Sequence, residues 1–288
     1  MVEVYRTHWR PDCEERAFML HAVGIVSQVT TTGAQWSLFV AENDAPAAAR
    51  QLRIYDRENS RRRRAAAIAE PPQPYAWLGP LIYALVLLVV AYLGGRKALA
   101  SDWLDAGTLH GALLAGGEFW RAVTALTLHF DVAHLLGNLG FGAFFGWLAS
   151  QLLGSGVAFG TAVLAAAVAN FVNGSMRDGY YVSGGASTVV FALLGLLAAY
   201  AWRRRAGAGE RWAYRWAPLI AGVFLLGFMG VGGERTDVAA HLGGFVAGAI
   251  GGWLLGSRAA PPRAWVQWCA GIATLGAVML CWALALHA

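Results

Sequence analysis

Four polar side chains stand apart from an apolar background: His134, Asn138, Ser187 and His241. Ser187 lies in Gly185-Ala186-Ser187-Thr188, and His241 lies in Ala240-His241-Leu242-Gly243-Gly244. A serine hydroxyl becomes a useful nucleophile when a base within hydrogen-bond reach takes its proton, and histidine is the commonest such base. His134 and Asn138 are spaced so that a helix would present them on one face. Each residue also has a plainer reading. A serine after glycines at a helix start is a common N-cap. A histidine inside a membrane is costly to bury and functional by default, but it can serve transport. An asparagine can be hydrogen-bonding glue between helices. The chemistry therefore depends on which elements carry these side chains, and at what level.

The chain is 57% hydrophobic and 14% charged, against about 25% charged for an ordinary soluble domain. Many of the charges lie before residue 65, which implies a small polar domain followed by a membrane domain. In residues 1–56, Cys13 to Val26 has helical spacing, Gln28 to Val40 suits a hairpin turning at Thr32-Gly33, and Ala45 to Tyr55 reads as a second helix. This unit is expected to be α+β and cytoplasmic, and it holds no catalytic constellation. Residues 57–74 read as a linker, basic first and proline-rich later.

Beyond it, stretches free of formal charge are long enough to cross a bilayer. They are Ala76–Leu93, Val132–Met176 (two helices broken near Gly154-Ser155-Gly156), Gly179–Trp202, Trp216–Gly233, Val238–Ser257 and Ala264–Ala288. Residues 75–257 thus hold six membrane helices, and residues 258–288 add a seventh. Met1 to Arg10 is charged and lacks the apolar core of a signal peptide, so insertion is expected through the first membrane helix. Basic residues set the orientation. Arg61–Arg64, then Arg203–Arg205 with Arg211 and Arg215, then Arg258 and Arg263 fall on one side. Arg96, Lys97, Arg121, Arg177 and Arg235 fall on the other. The N-terminus is expected in the cytoplasm and the C-terminus outside.

This topology brings the polar residues to one depth. The second, fourth and sixth membrane helices all run inward, and they carry His134 and Asn138, Ser187, and His241 near their outer ends. Gly244, Gly248 and Gly252 recur every four residues after His241, and such spacing lets two backbones approach closely. The facing surface is expected to be Ser187, Phe191 and Gly195, with Phe191 packing on the His241 imidazole.

In these motifs the sequence resembles the rhomboid family of intramembrane proteases, over roughly Tyr75 to Gly256. Trp120-Arg121 followed by His129, His134 and Asn138 is similar to the family's Trp-Arg loop motif and its His-x4-His-x3-Asn pattern. Gly185-Ala186-Ser187-Thr188 resembles the family's Gly-x-Ser-Gly, and Ala240 to Gly248 resembles its Ala-His-x-x-Gly-x-x-x-Gly. The resemblance implies an all-α polytopic core and a serine endopeptidase. Ser187 would be the nucleophile, His241 the base, and His134, Asn138 and the Ser187 amide the oxyanion donors. His129 would brace the loop near the site, Trp120 and Arg121 would anchor the first outer loop in the interface, and Phe191 would stack on the histidine where the family often has tyrosine. Substrates would be membrane proteins cut in or near their transmembrane segments, and the expected location is a bacterial inner (plasma) membrane.

Thr188 departs from the family, which usually has glycine there. Threonine disfavours positive φ, so the oxyanion amide is displaced if a permissive backbone is required, and undisturbed if Thr188 is ordinary first-turn helix. Asp237 suits a solvated acid capping its helix better than a third triad member. The competing functions are a non-catalytic rhomboid-like protein that binds client helices, and a transporter. The helix interiors lack the formal charges a transporter would place there. No cofactor, metal or nucleic-acid partner is expected: Cys13, Cys269 and Cys281 show no ligand spacing, and the net charge of +5 sits beside apolar segments as topology signals do.

Overall fold

The computed structural model describes residues 1–32, 35–68, 73–177, 180–207, 212–230, 237–257 and 262–288. Two units meet at residues 71 and 72. The first contains β1 (Val2–Thr7), α1 (Arg10–Ala22), β2 (Ser27–Thr32), β3 (Gln35–Val40) and α2 (Ala45–Ile68). Its antiparallel sheet has the order β1-β3-β2. Cys13 and Leu20 of α1, Leu38 and Val40 of β3, and Ala48 and Leu52 of α2 form the core. Arg16 is buried among them, held at 2.6 Å by both Asp12 and Asp56 and stacked on Tyr5. The charged N-terminus is thus an edge strand. The second helix, expected to end near Tyr55, continues through the arginine cluster, because nothing from Arg57 to Ile68 breaks a helix. The Gly33 turn and the proline-rich residues 69–72 lie outside the described residues, as do Arg211, Arg235 and Arg258.

The second unit starts with α3 (Leu78–Gly95). The segment that follows, expected as a plain loop, is folded: α4 (Trp103–Gly107), β4 (Leu109–His110), α5 (Gly111–Ala115), α6 (Arg121–Thr124) and a 3-10 turn at Ala125–Thr127. Then come α7 (Val132–Leu153), α8 (Ser155–Ser175), β5 (Val182–Ser183), α9 (Ser187–Gly207), α10 (Trp212–Gly230), α11 (Val238–Gly256) and α12 (Ala264–His287). Helices α3, α7, α8, α11 and α12 are long and apolar enough to cross a membrane. Helix α9 is the most enclosed, with nearly every residue from Thr188 to Leu196 buried, and Arg203–Arg205 occupy its last turns. The apolar run of α10 is shorter, Trp212–Phe228. The molecule is an integral membrane protein with a polytopic helical core and a small N-terminal α+β unit.

Helix α9 starts at Ser187, as its place at the outer end of the fourth membrane helix implied; before it, Val182 and Ser183 pair with β4 and Gly185 has φ +153°. One other detail differs. Helix α10 begins four residues before Trp216, so Arg215 is helical and lies over the Trp202 ring. Trp282 of the apolar helix α12 is buried. Its ring packs on Trp103 at 4.6 Å and its Nε1 donates to Thr127 Oγ1 at 3.0 Å. Trp265 and Trp268 are exposed.

Helices α9 and α11 approach closely along one seam. A Cβ on Gly244 would lie 2.6 Å from the Thr188 carbonyl oxygen. One on Gly248 or Gly252 would collide with the carbonyl oxygen of Ala192 or Leu196, and one on Gly195 with that of Phe245. Side chains are absent along this seam so that the backbones touch. Gln267 of α12 closes the α7–α8 break, donating to the Leu153 carbonyl at 2.6 Å and accepting from the Val157 amide at 3.0 Å.

Candidate active site

Ser187 opens α9 and His241 lies in the first turn of α11. The glycine seam fixes the spacing between those turns. His241 Nε2 stands 2.8 Å from Ser187 Oγ. Phe191, one turn into α9, lies under the imidazole with ring centroids 4.5 Å apart. Phe191 thus covers one side of His241, whose Nε2 is directed at the hydroxyl.

The chain reaches Ser187 along a path held at several points. Arg121 is buried and donates to the Asp105 and Thr108 carbonyls at 2.7 and 2.9 Å while pairing with Glu118. Thr124 Oγ1 donates to the Gly107 carbonyl at 2.7 Å. These bonds hold the backbone that leads into β4, and β4 pairs with β5 through Leu109–Ser183 and His110–Val182. Arg121 therefore anchors its loop from inside the protein, not at the interface. Trp120 packs on the cluster of Val90, Trp103, Leu128 and Trp282.

After β5, the Gly185 amide donates to the Ala125 carbonyl at 2.9 Å. Gly185 is needed twice: its φ is left-handed, and a Cβ would lie 2.6 Å from His134 Cε1. The His134 ring therefore borders the turn into the nucleophile's helix. Asp131 caps α7 by accepting the His134 amide at 2.7 Å. Asn138, one turn on, is buried, and its Nδ2 donates to His129 Nε2 at 3.1 Å. His129 Nε2 also accepts the Ala186 amide, at 3.4 Å. Two donors on Nε2 put the His129 proton on Nδ1. Burial first, and the neighbouring His134 second, pull His129 down to about 4, so it is neutral near pH 7.

Thr188 is buried in the first turn of α9, outside the positive-φ residues. Its Oγ1 donates to Asn170 Oδ1 at 3.2 Å, and Asn170 Nδ2 donates to the Ala122 carbonyl at 3.2 Å. The threonine thus forms a link that glycine lacks, and the backbone there is ordinary helix. Asp237 is half-buried and not simply solvated: beyond capping α11 it accepts from Asn173, Tyr181 and Ser183.

Ser187, His241, His134, Asn138 and Phe191 all line one open cleft of about 1570 Å³. Its walls mix polar backbone at Ser183–Gly185 with Phe130, Phe141, Val238 and Leu242. Residues 116–258 match the family model for the rhomboid domain. The chain belongs to the rhomboid family. The rhomboid match spans every side chain just placed in the cleft and leaves out α3 and α12. Rhomboid proteins are as a family serine proteases that act on membrane-protein substrates within the bilayer.

Sequence reading missed Asn170, Asn173, Tyr181 and the Ala125 carbonyl. A motif search has no means of finding a carbonyl. The two asparagines did carry a signal, since polar amides near the end of an apolar helix need partners.

Proposed function

We propose that the protein is an intramembrane serine endopeptidase that cleaves membrane proteins in or near their transmembrane segments. The observation that carries this reading is the 2.8 Å approach of His241 Nε2 to Ser187 Oγ in an open cleft with both polar and apolar walls. His241 takes the hydroxyl proton as Ser187 Oγ attacks the scissile carbonyl carbon. The carbonyl oxygen becomes an oxyanion. Asn138 Nδ2 carries two hydrogens and commits one to His129, leaving the other for that oxyanion. His134 and the Ser187 amide supply the further donors. His241 then returns the proton to the departing amine, and water admitted by the cleft hydrolyses the acyl-enzyme. Each oxyanion donor contributes about 10²- to 10³-fold in rate.

Membrane-anchored substrates enter laterally from the lipid. The N-terminus faces the cytoplasm of a bacterial inner (plasma) membrane and the C-terminus faces outside, in keeping with the distribution of basic residues. Purified protein should label with a fluorophosphonate probe, and Ser187→Ala should remove the label. Cleavage of a transmembrane reporter should stop in His241→Ala. Labelling that survives Ser187→Ala would refute the nucleophile.

A further inference from the structure

Asp237 lies four residues before His241 and reaches the segment that leads into Ser187. Its Oδ1 accepts the Ala240 amide at 3.0 Å, one residue before His241. Its Oδ2 accepts from Asn173 Nδ2 at 3.0 Å, from Ser183 Oγ at 3.2 Å and from the Tyr181 hydroxyl. Asn173 Nδ2 also donates to the Tyr181 oxygen at 2.7 Å, which closes a ring of three groups on one carboxylate oxygen. Asn173 belongs to the last turn of α8, Tyr181 directly precedes β5 and Ser183 ends it, on the path that delivers Ser187. A capping role needs one oxygen and one amide. Here the second oxygen collects donors from two other segments.

We propose that Asp237 is a positioning residue. It clamps β5 and the end of α8 to the start of α11, so that Ser187 and His241 arrive at hydrogen-bonding distance. The carboxylate that a triad would aim at the imidazole is committed to this clamp. The clamp fixes the segment on each side of the cleft, and the glycine seam fixes the helices beneath it. This inference rests on the Ser187–His241 reading above.

Asp237→Asn separates clamp from cap. Asparagine caps a helix as well as aspartate, but its NH₂ would face three donors where an oxygen stood. In full-length protein, the maximal rate of fluorophosphonate labelling should fall about 10- to 100-fold, as expected when a reacting group moves by about 1 Å. The probe concentration for half-maximal rate should change less than about two-fold, because the clamp lies outside the probe's contacts. Tyr181→Phe should give part of the loss, and the double variant no more than Asp237→Asn alone. Hydrogen exchange should quicken together at 181–187 and 238–241 in both single variants. Wild-type labelling by folded Asp237→Asn, or losses that add in the double variant, would overturn the clamp. If the wild type itself fails to label, the enzyme reading falls, and exchange still decides the clamp: rates unchanged at both segments would refute it. If Asp237→Asn does not fold, Tyr181→Phe carries the same two readouts.

Discussion

His129 touches neither Ser187 nor His241 among the bonds just described, yet its state governs two donors beside them. As a neutral acceptor it holds Asn138 Nδ2 and the Ala186 amide on one nitrogen. A protonated imidazole has no acceptor, so both bonds would be lost. The folded chain holds His129 near 4, against 6.5 in its ordinary state. Between these values the unfolded chain binds a proton that the folded one does not. The stabilisation is therefore complete above about pH 6.5 and is lost progressively as pH falls toward about 4. Thermal midpoints in detergent should decline across that window, and His129→Gln should flatten the slope. A wild-type midpoint constant from pH 6.5 to 4 would contradict the assignment. Thr188 teaches the opposite lesson at the same scale. Its departure from the family pattern is absorbed by a helical backbone and the partner Asn170.

At the scale of elements, the α9–α11 seam sets the distance between nucleophile and base. Adding one methyl at Gly248 forces it into the Ala192 carbonyl. The backbones must separate, at a cost of about 1–3 kcal/mol for overpacking. Gly248→Ala should lower the thermal midpoint and the labelling rate together. Gly140→Ala, where a Cβ meets open space, should change neither appreciably. This seam was legible in the sequence, because glycines at every fourth position leave a periodic signature beside His241. The break at Gly154 was legible for a similar reason. The path into Ser187 was not: β4 and β5 have two residues each, too short for any periodicity. Their pairing joins positions more than seventy residues apart and is held by carbonyl oxygens that every sequence contains.

At the scale of the whole molecule, the charge-free stretches implied seven membrane helices; among the described residues five are long and apolar enough to cross a membrane, α10 has a shorter apolar run, and α9 is distinguished by its burial. Composition alone said little about the segment between α3 and α7. Its buried Arg121 and Thr124 become intelligible only once the Asp105, Gly107 and Thr108 carbonyls are seen around them. The last helix acquires a purpose in the same way. Gln267 closes the α7–α8 turn, and Trp282 fills the space beside Gly107, Trp103 and Thr127. Trp282→Ala should cost about 3–5 kcal/mol, as large-to-small changes at buried aromatics do. A thermal midpoint within a degree of wild type would show that α12 is not part of the working core.

The grip of α12 on earlier segments also has a meaning in time. A ribosome makes this helix after the turn it closes and the loop it wedges, which precede it by a hundred or more residues. A nascent chain still lacking α12 has gaps beside Thr127 and at Gly154, the first of these two residues from the Ala125 carbonyl that receives Gly185. Assembly of the cleft is thereby deferred until α12 has been made. The cleft therefore takes its final form only after every helix that precedes α12 has been synthesised.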